Sequence, residues 1–171
     1  MGDPFFREPA PLVQPEGVEF LLHLALWEPE IPPNTGNVAR LCAATGVVLH
    51  LVGRLGFRLD DRSLKRAGLD YWEFVDLRTH ATFADLEAIV GIDRIYCVEV
   101  PALRNYTQVA FRAGDCLVFG SESKGLPPEI RERYAARTIG IPMPTGKVRS
   151  LNLATSAGIV VYEAMRQLHG W

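Results

Sequence analysis

Three short segments of this chain combine polar side chains with glycine and proline in patterns that core packing alone does not require. In the first, Trp27-Glu28-Pro29-Glu30-Ile31-Pro32-Pro33-Asn34-Thr35-Gly36-Asn37-Val38-Ala39-Arg40, an apolar run ends in prolines and Asn34 stands as the natural N-cap of a helix. At 100° per residue Val38, Leu41, Cys42 and Thr45 face inward, while Asn37, Arg40 and Ala44 fall along the helix edge. Arg40 therefore flanks the core, either as a plain surface cation or as a group aimed at a ligand.

The second segment, Phe119-Gly120-Ser121-Glu122-Ser123-Lys124-Gly125-Leu126-Pro127-Pro128, joins an apolar strand to a helix through two glycines. Such a turn lets backbone amides approach a ligand above the strand ends, which would meet Gly120 first and Glu122 next. The plainer reading is a tight connection whose Glu faces water. The third, Ile141-Pro142-Met143-Pro144-Thr145-Gly146-Lys147-Val148-Arg149-Ser150-Leu151-Asn152, runs into a long helix. It is no phosphate loop. Gly140 and Gly146 are separated by five residues instead of four, Val148 stands where Ser or Thr would bind magnesium, and Pro142 and Pro144 remove amides. A GxGxxG fingerprint is also absent, so nothing points to a dinucleotide. What remains is an apolar, proline-stiffened loop suited to gripping an uncharged adenine, with Ser150 and Asn152 as polar groups at a helix start. Ser150 as a simple N-cap is the alternative role.

The elements that must hold these loops follow from hydrophobic patterning. Strands are expected at Leu21–Trp27, Val47–Val52, Arg94–Val100, Cys116–Phe119 and Thr138–Ile141. Helices are expected near Thr35–Ala44, Leu64–Ala67, Phe83–Val90, Pro128–Tyr134 and Leu151–Leu168. This alternation predicts an α/β fold, a mostly parallel sheet flanked by helices. The last helix carries an apolar stripe of Leu153, Ala157, Val160, Val161, Ala164, Met165 and Leu168, and Gly158 and Ile159 widen it, which leaves room for a second subunit. Residues 1–19, with four prolines and no apolar periodicity, read as an N-terminal leader, and residues 20–171 as one domain.

Composition narrows the function classes. The 171 residues hold 18 Lys+Arg against 20 Asp+Glu, a net charge of −2, so any nucleic-acid contact must come from a local basic patch and not from bulk charge. Uncharged stretches fall short of a membrane span, and Asp3, Pro4 and Glu8 break any signal-peptide pattern, so a cytoplasmic location is expected. Cys42, Cys97 and Cys116 lie far apart and read as buried thiols; the four histidines lack ligand spacing, so no metal is expected.

Taken in order, the three segments resemble the signature motifs of the SPOUT methyltransferase superfamily. Within it, EPEIPPNTGNVARLCAATG and GFRLDDRSLKRAGLDYWE are similar to the TrmL-type tRNA 2′-O-methyltransferases, which act on the wobble cytidine or uridine of leucine tRNAs. The resemblance implies a C-terminal trefoil knot, which patterning alone does not reveal and which departs from the usual avoidance of threaded loops. It implies a homodimer that uses S-adenosyl-L-methionine, with S-adenosyl-L-homocysteine as product, and needs no metal. It assigns methyl transfer to Asn34, Arg40, Glu122, Ser150 and Asn152, and cofactor contacts to Val98, Gly120, Ile141 and Ser150. Met143 and Leu151 adjoin that loop and join the cofactor set. The leader, and Ala154-Thr155-Ser156-Ala157 after the third motif, depart from the family pattern. Phosphate-tracking cations are expected among Arg54, Arg58, Arg62, Lys65 and Arg66, and among Arg104, Arg112, Lys124, Lys147 and Arg149. Competing readings keep the chemistry on another tRNA or rRNA nucleotide, or keep the fold as a catalytically silent RNA-binding protein.

Overall fold

The computed structural model describes residues 22–59 and 69–171. Seven strands form one parallel sheet: β1 (Leu22–Trp27), β2 (Val48–Val52), β3 (Leu77–His80), β4 (Ile95–Val98), β5 (Arg104–Asn105), β6 (Asp115–Phe119) and β7 (Thr138–Gly140). Their order is β3-β2-β1-β6-β4-β7-β5. Four α-helices are described: α1 (Pro32–Thr45), α2 (Phe83–Val90), α3 (Pro128–Arg133) and α4 (Leu153–His169). β2 and β6 are buried at every residue, as strands covered on both faces must be.

Side-chain alternation sorts the core into two layers. Leu22, Leu24, Leu26, Leu49, Leu51, Leu117 and Phe119 face α1 and α4, meeting Val38, Cys42, Ala157, Val160, Val161, Ala164 and Met165. Ala25, Val52, Cys97, Cys116 and Val118 face the other way, against Leu86 of α2 and Ile130 and Tyr134 around α3. Each fully buried Leu or Val stabilises the fold by about 1.5–3 kcal/mol. The register Leu24↔Leu49 and Leu24↔Leu117 keeps leucines of three adjacent strands on one face. The three cysteines are buried free thiols; burial pushes Cys42 and Cys97 up to about 12 and Cys116 upward as well.

Several expectations need correction. β3 and β5 are additional strands at the two edges of the sheet, where polar residues replace the apolar run that marks a central strand. β4 ends at Val98, two residues early; Glu99 N–H still donates to Ile139 O of β7 at 3.0 Å, and the chain bends at Val100. α1 begins at Pro32 with Ile31 before it, so Asn34 is not the N-cap but lies inside the first turn; Pro32 and Pro33 take the first two helical positions, where a missing N–H costs nothing. α4 begins at Leu153, and its cap is Asn152, whose Oδ1 accepts the Ala154 and Thr155 N–H groups at 2.9 and 3.3 Å; Ser150 does not cap it. The leader at 1–19 and the helix expected near 64–67 fall outside the described residues. Among the described residues no helix is long and apolar enough to cross a membrane, and no group of three or more His, Cys, Asp and Glu is arranged to hold a metal.

Candidate active site

The loops leaving the carboxyl ends of β4, β6 and β7 converge with the start of α1 on a cavity of about 420 Å³. That edge of a parallel sheet is where ligands of open α/β folds bind. Val98 closes β4, Gly120 and Glu122 follow β6, and Ile141, Met143, Ser150, Leu151 and Asn152 follow β7, all lining the cavity together with Asn34 of α1.

Glycine is obligatory at Gly120. An added Cβ would stand 2.2 Å from the Gly125 carbonyl carbon and 2.3 Å from the Leu126 nitrogen, so two backbone segments pass too closely for any side chain. The turn is closed by Gly125 N–H donating to Ser121 O at 2.8 Å and Ser121 N–H to Gly125 O at 3.2 Å.

A pair of carboxylates then ties the β6 loop to α1. Glu122 accepts from Glu30 N–H at 2.8 Å, Ile31 N–H at 3.1 Å and Asn34 Nδ2 at 3.1 Å. Glu30 reciprocates, accepting from Ser123 N–H at 3.0 Å and Ser123 Oγ at 2.7 Å. With prolines at the first two helical positions of α1, few free N–H groups remain at its start, and a carboxylate from another loop both accepts from the chain entering it and complements the positive end of its dipole. Asn34, released from capping, uses its Oδ1 to accept from Asn152 Nδ2 at 2.9 Å. Asn152 thus caps α4 with its oxygen and reaches α1 with its nitrogen. One hydrogen-bonded chain, Glu122–Asn34–Asn152, joins all three motifs.

Arg40 is the exception. It is exposed, does not line the cavity, and lays its guanidinium over the Tyr71 ring at 5.0 Å from the centroid. Six residues beyond Asn34 on the same helix, it lies about 9 Å further along the axis and on a different face. Of the expected phosphate-tracking cations, Arg62, Lys65 and Arg66 lie outside the described residues; Arg54, Arg58, Arg104, Arg112, Lys124, Lys147 and Arg149 are exposed.

Sequence reasoning passed over Glu30 and Glu99. Glu30 sits inside the first motif and could have been noticed as a carboxylate flanked by prolines; its partner Ser123, 93 residues away, is not readable from spacing. Glu99 lines the cavity directly after Val98, and its carboxyl is pushed above the usual range chiefly by burial, against the lowering pull of the Leu126 N–H, Arg131 and the Val100 N–H. The lining fits an adenosyl methyl donor by its chemistry: Val98, Ile141, Met143 and Leu151 offer apolar walls, and Glu99 offers an anion.

Comparison with known proteins adds to this geometry. The SpoU rRNA Methylase family matches residues 21–162. A tRNA (cytidine(34)-2′-O)-methyltransferase of Methylovorus glucosotrophus is 44% identical over 148 residues, covering 86% of this chain and 96% of the relative. One from Yersinia pestis is 45% identical over 154 residues, covering 86% and 94%. Among solved structures, one described as giving structural insights into the 2-OH methylation of C/U34 on tRNA superposes with a TM-score of 0.84 at 50% identity, covering 89% of this chain and 99% of that one. The SpoU methyltransferase AviRb from Streptomyces viridochromogenes, in complex with AdoMet, shares the fold at a TM-score of 0.73 and 24% identity, covering 90% and 59%. These neighbours are SPOUT methyltransferases, whose fold carries a knot.

Proposed function

The chain belongs to the SpoU rRNA Methylase family, and from that premise we propose that it transfers a methyl group from S-adenosyl-L-methionine to the ribose 2′-oxygen of nucleotide 34, the wobble position, of tRNA. The single observation that carries the reading is the convergence of Asn34, Gly120, Glu122, Ile141, Ser150 and Asn152, from segments far apart in the chain, on one cavity at the strand ends. High identity over nearly the whole length of the cytidine(34) relatives favours this target over another tRNA or rRNA nucleotide.

When bound, the cofactor supplies a methyl group on a positively charged sulfur. Val98, Gly120, Ile141, Met143, Ser150 and Leu151 hold it and exclude water from one side. Ser150 and Asn152 orient the ribose, and Asn34 and Glu122 fix Asn152 through the hydrogen-bonded chain. The attacking hydroxyl would give its proton to water as its oxygen takes up the methyl carbon, and Arg40 would stabilise the negative charge growing on that oxygen by donating from its guanidinium. A guanidinium with a pKa above about 12 remains protonated at neutral pH, which favours the stabilising role over that of a base. The reaction needs no metal ion.

The active species is proposed to be a homodimer. Arg40 does not line the cavity of its own chain, and the outer side of α4 leaves Gly158 and Ile159 only half-buried and Tyr162 50% exposed. A second copy would cover that side and supply Arg40. Exposed Arg54, Arg58, Lys124, Lys147 and Arg149 suit phosphate tracking, the substrates are leucine isoacceptors, and the protein acts in the cytoplasm. Incubation with methyl-labelled cofactor and purified leucine tRNAs, followed by nuclease mapping, is expected to place the label on the ribose of nucleotide 34. Absence of transfer to any tRNA overturns the reading.

A further inference from the structure

The cavity contains two carboxylates with different obligations. Glu122 spends its oxygens on Glu30 N–H, Ile31 N–H and the Asn34 amide. Glu99 has lighter ties: its Oε1 accepts Leu126 N–H at 2.6 Å, the Val100 N–H also favours its charged form, and its carboxylate lies against Gly125. A Cβ there would come within 3.0 Å of Oε1 and 3.2 Å of Oε2, and the φ of +68° disfavours a side chain in any case. The loop thus leaves room for this carboxylate. Among the described residues no cation stands within ion-pair distance of it. Arg131 also lines the cavity and attracts the Glu99 charge through space without pairing with it, and Lys124 and Arg149 line it too; all three are exposed, so water weakens their pull, whereas Glu99 is half-buried.

A partly desolvated anion without a close counter-ion gains most from a ligand that brings a positive charge. Resting on the methyl-transfer reading, we propose that Glu99 sets the preference of the cavity for the cationic methyl donor over the neutral thioether formed by transfer. Donor and product share the adenosine and amino-acid groups and differ by one methyl and one positive charge. Hydroxyl and amide groups meet both ligands alike; an anion beside the cavity separates them. Loss of the charge on transfer then weakens the hold on the product and speeds its release.

Calorimetric titration of the full chain with S-adenosyl-L-methionine and with S-adenosyl-L-homocysteine tests this. The variant Glu99→Gln keeps an oxygen for the Leu126 N–H, and thermal unfolding checks that it folds; Glu99→Asp, which keeps the charge, serves as the second variant. Glu99→Gln is expected to weaken donor binding about fivefold or more while product binding changes less than about twofold, and Glu99→Asp to retain most of the preference. Equal weakening of both ligands, or no change in either, overturns the assignment of Glu99 alone. A wild-type protein that binds neither ligand overturns the methyl-transfer reading as well.

Discussion

Glu122 and Arg40 come from motifs that look equivalent in the sequence, yet they sit in opposite surroundings. Glu122 is enclosed by three donors at the start of α1, whereas Arg40 stands exposed on the same helix with its guanidinium over the Tyr71 ring. Mutation should therefore separate binding from chemistry. Arg40→Ala is expected to slow methyl transfer about 100-fold or more while leaving cofactor affinity unchanged, because its proposed contact is with the attacking ribose oxygen and its side chain does not line the cofactor cavity of its own chain. Single-turnover kinetics beside calorimetry reads both quantities, and a matching loss of affinity would refute the exposed-stabiliser role. Arg40→Lys should not restore the rate, since an ammonium lacks the planar fork. At this scale the sequence was informative about residue type. It named Gly120, and the structure supplied the reason, a backbone crossing with no space for a Cβ.

Between elements, the histidines of neighbouring strands make an unexpected connection. His23 of β1, His50 of β2 and His80 of β3 form a row, with His23 Nδ1 and His50 Nε2 2.9 Å apart and His50 Nδ1 and His80 Nε2 2.8 Å apart. Burial is the leading cause that lowers His23 to about 4 and His50 to about 3, and it lowers His80 too; Arg78 adds to the effect, and Asp76 opposes it at His23 and His50. The folded protein holds these rings neutral, while the unfolded chain takes up protons near the ordinary value of 6.5. Their contribution to stability is thus complete above about pH 6.5 and is lost as pH falls toward the folded values. Fully buried His50 contributes a slope on the order of 1 kcal/mol per pH unit between those limits. Urea unfolding at pH 7.5 and at pH 5 should show this fall, and His50→Gln should flatten it; an unchanged slope would remove the row as its source. Alternation and spacing found the central strands and the helices Phe83–Val90 and Leu153–His169 within a residue or two. They missed β3 and β5, because an edge strand with polar side chains has no apolar run to announce it.

Considered as a whole molecule, one chain presents a cavity without its proposed cation, and the dimer reading makes a prediction that a monomer cannot meet. Ser150→Trp is designed to obstruct the cavity from an exposed position, and Arg40→Ala to remove the cation. Each homodimer should be inactive, and subunits mixed and allowed to exchange should regain activity, because a heterodimer contains one site with both features intact. No recovery, with sedimentation at the monomer mass, would refute the shared site.

The amino-acid sequence by itself determined the α/β class, the burial of its apolar strands and the identity of the three polar loops. These depend on local periodicity, turn chemistry and motif composition, all of which are written within a few residues of one another. Tertiary structure alone decided that Asn34 bonds Glu122 and Asn152 instead of capping its helix, that Glu30 clasps Ser123, that Glu99 lines the cavity, and that Arg40 does not. Those partners lie tens of residues apart, and strand order rather than chain order brings them together. No local pattern encodes which loop ends beside which once a sheet inserts β6 between β1 and β4.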